Sequence, residues 1–263
     1  MILITICLAL ALTFAKEHPE AKLQFYEYCQ HFNYPIQKHQ VITEDGYILG
    51  VFRIQKKATT IRGGLKPILL LHGLMDSSDT FIVNEESKAP AFVLANAEYD
   101  VWLGNSRGNK HSRRHVSLNP DKDKQFWMFT FEEMGNLDMP AMFSYIYNHT
   151  QQKMHFLGHS QGTSVMHVSL SRRNPVVEEL LDQYHAFGPL SFNSYQESKL
   201  MAHMQNSKIL EWFKRLGVHE FLPSPGWFET DLGVAFCSWF GKICADLVSE
   251  GMDGNPSLDN YER

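Results

Sequence analysis

Several things are scarce in this 263-residue sequence, and each scarcity closes a class of function. Neither sign of charge dominates: the net charge is −5, and charged residues make up 20% of the chain with both signs interspersed. No basic field exists to hold a nucleic-acid backbone, so no nucleic-acid partner is expected. The one basic run, Lys110 to His115, reads as an ordinary solvated loop. No apolar run reaches the ~20 residues that a membrane span needs. Met1 to Ala15 is too short, and residues 232–248 are interrupted by Lys242 and Asp246. Cysteine is sparse, with four in all, and no Cys/His spacing resembles a zinc site. His111 and His115 would share a face if their segment were helical, but no third ligand follows, so no metal and no cofactor are expected. Internal repeats and low-complexity linkers are also lacking.

What is present suits a packed fold. The sequence is 44% hydrophobic and 13% aromatic, far from a disordered composition. Met1 to Ala15 is apolar and uncharged, and the small residues Thr13 and Ala15 suit a signal-peptidase site. Residues 1–15 are therefore read as a signal peptide, with a mature start near Lys16, although no Lys or Arg precedes the apolar run. An export route permits disulfides. Cys237 and Cys244 are close enough for a bridge of low entropic cost, which would leave Cys29 as an odd, buried thiol.

Residues 37–54 predict two strands around Glu44-Asp45-Gly46, since Asp-Gly between apolar runs is a hairpin signal. Pro67 to Leu71 is a short continuous apolar run, as in a strand buried on both faces, and Tyr99-Asp100-Val101-Trp102-Leu103 is a similar run that ends at Gly104. Helical patterning falls on 87–97 and 132–148, where Met134, Leu137, Met142, Tyr145 and Ile146 recur at helical spacing. Met154 to Leu157 predicts a strand and Thr163 to Arg172 a helix that Asn174-Pro175 ends. Residues 184–188 predict one more buried strand. Strands alternating with helices imply a mostly parallel sheet with right-handed crossovers, an α/β fold over residues 16–189. After Pro189 the pattern changes: Ile209, Trp212, Phe213 and Leu216 mark an amphipathic helix in a Met-, Phe- and Trp-rich stretch. Residues 190–263 read as a partial cap, whose aromatics either line an acyl pocket or pack the cap.

The chemistry concentrates at Gly158-His159-Ser160-Gln161-Gly162, a G-x-S-x-G pattern between a strand and a helix. A nucleophilic serine there must sit on a tight turn, and the flanking glycines let backbone approach without a Cβ clash. The unpaired N–H groups at the start of the following helix face the reacting carbonyl, so Gln161 supplies one oxyanion donor. The loop after the earlier strand, His72-Gly73-Leu74, supplies the second from Leu74, with Met75 as the other choice. His72 is expected to order that loop. His159, His155 and His185 are read as packing residues. Asn148-His149-Thr150 is a glycosylation sequon at the surface.

These motifs together resemble the acid lipase family, which includes gastric and lysosomal acid lipases. The hairpin Val41 to Gly50, the loop His72 to Ser78, the run Tyr99 to Asn109, Phe129 to Met134 with Asp138, Pro140 and Ala141, and Gly158 to Thr163 all carry the likeness. It covers about Tyr26 to Asp259. The resemblance implies an α/β-hydrolase fold and a serine mechanism acting on triacylglycerols or sterol esters at a lipid–water interface. It also implies a mobile cap, a cap disulfide such as Cys237–Cys244, and secretion or lysosomal delivery. One departure stands out. The triad order in this fold is Ser, acid, His. After Ser160 the histidines are His167, His185, His203 and His219, and none of Glu178, Glu179, Asp182, Glu197 or Glu211 is expected at a strand end. No triad acid or base is recognisable, and serine without a base is a weak nucleophile. The expectation is a lipase chain that is incomplete as written. The alternatives are a non-catalytic relative that binds lipid or a partner through an open sheet edge, and another chemistry of the same fold, such as acyl transfer.

Overall fold

The computed structural model describes residues 23–57 and 60–191. Residues 24–191 belong to one compact unit. The expected signal peptide, nearly all of the expected cap, Cys237, Cys244, His203 and His219 lie outside the described residues.

A short helix, α1 (Phe25–His31), precedes the hairpin β1 (Ile36–Ile42) and β2 (Ile48–Ile54). Then follow β3 (Lys66–Leu71), α2 (Pro90–Asn96), β4 (Tyr99–Gly104), α3 (Met139–Thr150), β5 (Met154–His159), α4 (Gln161–Ser171), α5 (Pro175–Leu180) and β6 (Leu181–Phe187). The six strands form one sheet in the order β1-β2-β4-β3-β5-β6. Strands β4, β3, β5 and β6 are parallel, and the hairpin adds antiparallel beside β4.

The apolar runs behave as their composition dictates. In β3 every residue after Lys66 is buried, and in β4 every residue after Tyr99, because both lie mid-sheet with helices over the faces. Leu69, Leu71, Trp102, Phe143, Phe156 and Met166 meet in one core. The hairpin closes as expected: Gly46 has φ +95°, and its N–H donates to the Thr43 carbonyl at 3.0 Å.

Several boundaries differ from the sequence reading. The helix expected over 87–97 starts at Pro90, whose fixed φ suits the first helical position. The helix expected over 132–148 starts earlier, as a turn at Phe131–Glu133 capped by Thr130, and passes through a π-helical segment, Met134–Asp138, before α3. Asn174-Pro175 ends α4 and also starts α5, since Asn174 Oδ1 accepts from the Val176 and Val177 N–H groups. Helix α1 was not anticipated.

Strand β6 runs Leu181–Phe187 and is largely exposed, where a buried strand was expected over 184–188. It pairs with β5 on one side, and among the described residues nothing pairs with its other edge. His185 is accordingly exposed and not a core residue, whereas His155, one strand inward, is 9% exposed. Residues 110–115 are neither helical nor freely solvated. Lys110 and His111 both reach the Asp79 carboxylate, Arg113 pairs with Asp121, and Ile48 N–H donates to the Arg114 carbonyl. The helix face shared by His111 and His115 does not exist: His111 faces Asp79 and His115 faces the Asp45 carbonyl. Among the described residues, no helix is long and apolar enough to cross a membrane.

Candidate active site

Parallel strands end on one side of a sheet, and ligand sites form there. Strand β5 ends at His159, α4 begins at Gln161, and Ser160 alone makes the turn between them. Ser160 has φ +49° and ψ −116°, a strained backbone for a residue with a side chain. Glycine is required on both sides. A Cβ on Gly158 would lie 2.8 Å from the Gly162 carbonyl carbon, and one on Gly162 would lie 2.5 Å from the Leu71 oxygen. The turn is tied down beyond the motif. Ser160 N–H donates to the Phe187 carbonyl at 2.9 Å. The Thr163 hydroxyl donates to the Ser160 carbonyl at 2.6 Å and accepts the Leu190 N–H at 2.9 Å. The chain leaving β6 is thereby anchored to the first turn of α4.

The loop after β3 abuts this turn. A Cβ on Gly73 would lie 3.3 Å from Ser160 Cβ and 3.3 Å from His159 Nδ1. Next in the chain are Leu74, which is 44% exposed, and Met75, which is 51% exposed at φ +56°. Among the described residues, neither the Leu74 nor the Gln161 backbone N–H finds an acceptor. His72 itself is buried, with Nδ1 2.8 Å from the Gly73 carbonyl. Its Nε2 accepts from Ser106 N–H at 3.2 Å and stands 3.0 Å from Asn109 Nδ2. Burial holds the His72 pKa below the usual histidine value. Asn105, fully buried, ties this loop to its surroundings: its amide donates to the Gly50 carbonyl and Ser78 Oγ and accepts from Ser78 N–H.

Of the histidines raised by the sequence, those among the described residues do not reach the serine. Among the described residues, no histidine or carboxylate is hydrogen-bonded to the Ser160 hydroxyl. His167 lies 3.2 Å from the Tyr184 hydroxyl and 3.3 Å from Ser191 Oγ. His155 faces Asp182 at 3.3 Å. His159, exposed, lies beside Gly73. Asn148 is exposed at the end of α3.

Two groups escaped the sequence reading. Thr163 was seen only as a helix start and the end of a resembling motif, and Asn105, Ser106 and Asn109 only as part of a resemblance. The role of Thr163 depends on the chain leaving β6; those of Asn105, Ser106 and Asn109 depend on β4 lying next to β3, and their only local signal was a dense run of short polar residues after a buried strand.

A strained serine between a parallel strand and a helix, flanked by close-approach glycines and facing the preceding strand's loop, defines the α/β-hydrolase class. The α/β-hydrolase fold description matches residues 66–215, and a partial α/β-hydrolase lipase region matches residues 25–85. Rat gastric triacylglycerol lipase is 40% identical over 225 residues, covering 84% of this chain and 56% of that protein. Mouse lipase member K is 36% identical over 255 residues, covering 94% and 62%. Human lysosomal acid lipase/cholesteryl ester hydrolase is 32% identical over 243 residues, covering 90% and 57%. The chain belongs to the α/β-hydrolase fold family and is similar to acid lipases over most of its length. It spans little more than half the length of these relatives.

Proposed function

We propose that this chain is a carboxylic ester hydrolase of the lipase type, acting on triacylglycerols or sterol esters at a lipid–water interface with Ser160 as nucleophile. The observation that carries the reading is the Ser160 turn, held at φ +49° against Gly73. In this reading Ser160 Oγ attacks the ester carbonyl carbon, and its proton passes to a base outside the described residues. The Leu74 and Gln161 N–H groups take the developing oxyanion, the alcohol leaves with a proton, and water hydrolyses the acyl-enzyme. Residues 1–15 serve as a signal peptide and 190–263 as part of the cap, with Cys237 and Cys244 bridged and Asn148 glycosylated. Secretion or lysosomal delivery fits the gastric and lysosomal relatives.

The test is release of fatty acid from emulsified triolein and cholesteryl oleate by the protein and its Ser160→Ala variant. Ser160-dependent release from either supports the reading. A second reading, a non-catalytic relative that binds lipid or a partner chain, is favoured by one observation, the absence of a base on Ser160 among the described residues. It predicts equal, background release from both proteins.

A further inference from the structure

His72 is buried at the junction of two loops, and each of its ring nitrogens has a defined partner. A backbone N–H can only donate, so the Ser106 N–H fixes Nε2 as a lone pair. Asn109 Nδ2, 3.0 Å away, adds a second donor to the same lone pair. A carbonyl can only accept, so the Gly73 oxygen at 2.8 Å fixes the proton on Nδ1. One neutral tautomer satisfies all three contacts. A proton on Nε2 would set N–H against N–H, and His72 could keep its seat only by swinging away from Ser106 and Asn109. That motion would drag the Gly73 peptide, which lies against Ser160 and leads into Leu74.

We propose that Asn109 is a positioning residue which, together with the Ser106 N–H, keeps His72 neutral and thereby holds the Gly73–Leu74 loop in shape in acid. The proposal rests on the reading of that loop as an oxyanion donor. The charged and titratable groups around His72 are Asp76 and Asp79 on the loop after β3, and His111 on the loop after β4. His159 stands across Gly73. Asp76 and Asp79 favour a proton on His72, while His111 and burial oppose it. Asp79 is itself answered by His111 at 2.6 Å and Lys110 at 2.7 Å, so the donors on Nε2 and burial prevail. Asn109 makes further bonds: its Nδ2 also donates to Asn105 Oδ1 at 2.8 Å, and an aspartate gives that bond up. Its Oδ1 accepts from the His111 and Ser112 N–H groups at 3.0 and 3.1 Å, and an aspartate keeps that acceptor while turning the donor into a carboxylate.

The test uses the full chain with ¹⁵N-labelled histidine. Ring-nitrogen and Leu74 amide shifts are followed from neutral to acid pH in the wild type and Asn109→Asp. Ser160-dependent hydrolysis of 4-methylumbelliferyl butyrate is followed over the same range. The wild type should show His72 with Nε2 unprotonated and Nδ1 protonated into the acid range. In Asn109→Asp, a carboxylate facing Nε2 should raise the pH of proton uptake by about one to three units. The Leu74 amide shift and the acid limb of hydrolysis should move with it. A wild-type His72 protonated on Nε2 overturns the proposal whatever the variant does. So does a folded Asn109→Asp protein in which uptake and the Leu74 shift stay in place. If the wild-type tautomer and the coupled Leu74 shift are seen but no hydrolysis depends on Ser160, the positioning role stands and the lipase reading falls.

Discussion

Ser160 holds a backbone conformation that costs ~1–3 kcal/mol, and its neighbours compensate by removing every Cβ that would compete for the space. Gly162 packs against the Leu71 and His72 carbonyls. Gly162→Ala is expected to lower stability by about 1–3 kcal/mol, the usual range for overpacking a tight site. Urea denaturation would read this as a lower midpoint at an unchanged slope. A second residue-scale feature is the Asp45–Arg107–Asp138 cluster, in which Arg107 and Asp138 are buried and Asp45 lies at the surface. Arg107 is sandwiched between both carboxylates and lies over the Tyr47 ring at 4.1 Å. Burial pushes the Asp138 carboxyl up to about 6, against the pull of Arg107. The folded state therefore binds this proton more tightly than the unfolded chain, whose carboxyl titrates near ~4. The group's contribution to stability is greatest below that lower value and declines as pH rises toward 6. Asp138→Asn should flatten this part of the dependence of Tm on pH between those limits, and an unchanged profile would refute the assignment. Cys29, buried with its thiol pushed up to about 12, should resist alkylation in the native protein.

At the scale of elements, the sheet shows which patterns are legible in a sequence and which are not. Pro67 to Leu71 is apolar on both faces and Tyr99 to Leu103 nearly so, broken only by Asp100, which is buried against Arg53, and a mid-sheet position suits both. Their strands, the hairpin and the turn at Ser160 were therefore readable from residue types alone. Strand β6 was readable as a strand and, in the alternative reading, as an open sheet edge, but Tyr184, Ala186 and Phe187 suit a covered surface, and how much of its faces is exposed depends on what packs beyond them. Its first residues, Leu181 to Gln183, were missed because α5 passes into it without a loop and the period changes in mid-run. The π-helical segment before α3 also left no trace in the periodicity. It coincides with the burial of Asp138 against Arg107, and that partner lies 31 residues away. The outer edge of β6 carries Phe187, 52% exposed, and such edges recruit other strands. Ala186→Lys, on the exposed strand, should reduce concentration-dependent association in light scattering, leaving Ser160 and its tether to the Phe187 carbonyl in place.

For the whole molecule, the parallel sheet brings distant segments to one end. The loops after β3, β4 and β5 converge there, so that residues 72–75, 105–109 and 158–163 build one site from three stretches of chain. Local residue chemistry announced the first and last of these. The middle stretch could be understood only once β4 was known to lie beside β3, which is why the support of His72 by Asn109 was invisible to sequence reasoning. The proposed serine-centred ester hydrolysis rests on the Ser160 turn and the likeness to lipases, and the base that would activate Ser160 is not among the described residues. The most direct measurement is therefore the release of fatty acid from emulsified triolein by the full protein, set against Ser160→Ala at matched folding. With Ser160 as nucleophile, release disappears in Ser160→Ala. Equal release from both proteins would contradict that role and leave an α/β-hydrolase fold without Ser160-dependent hydrolysis.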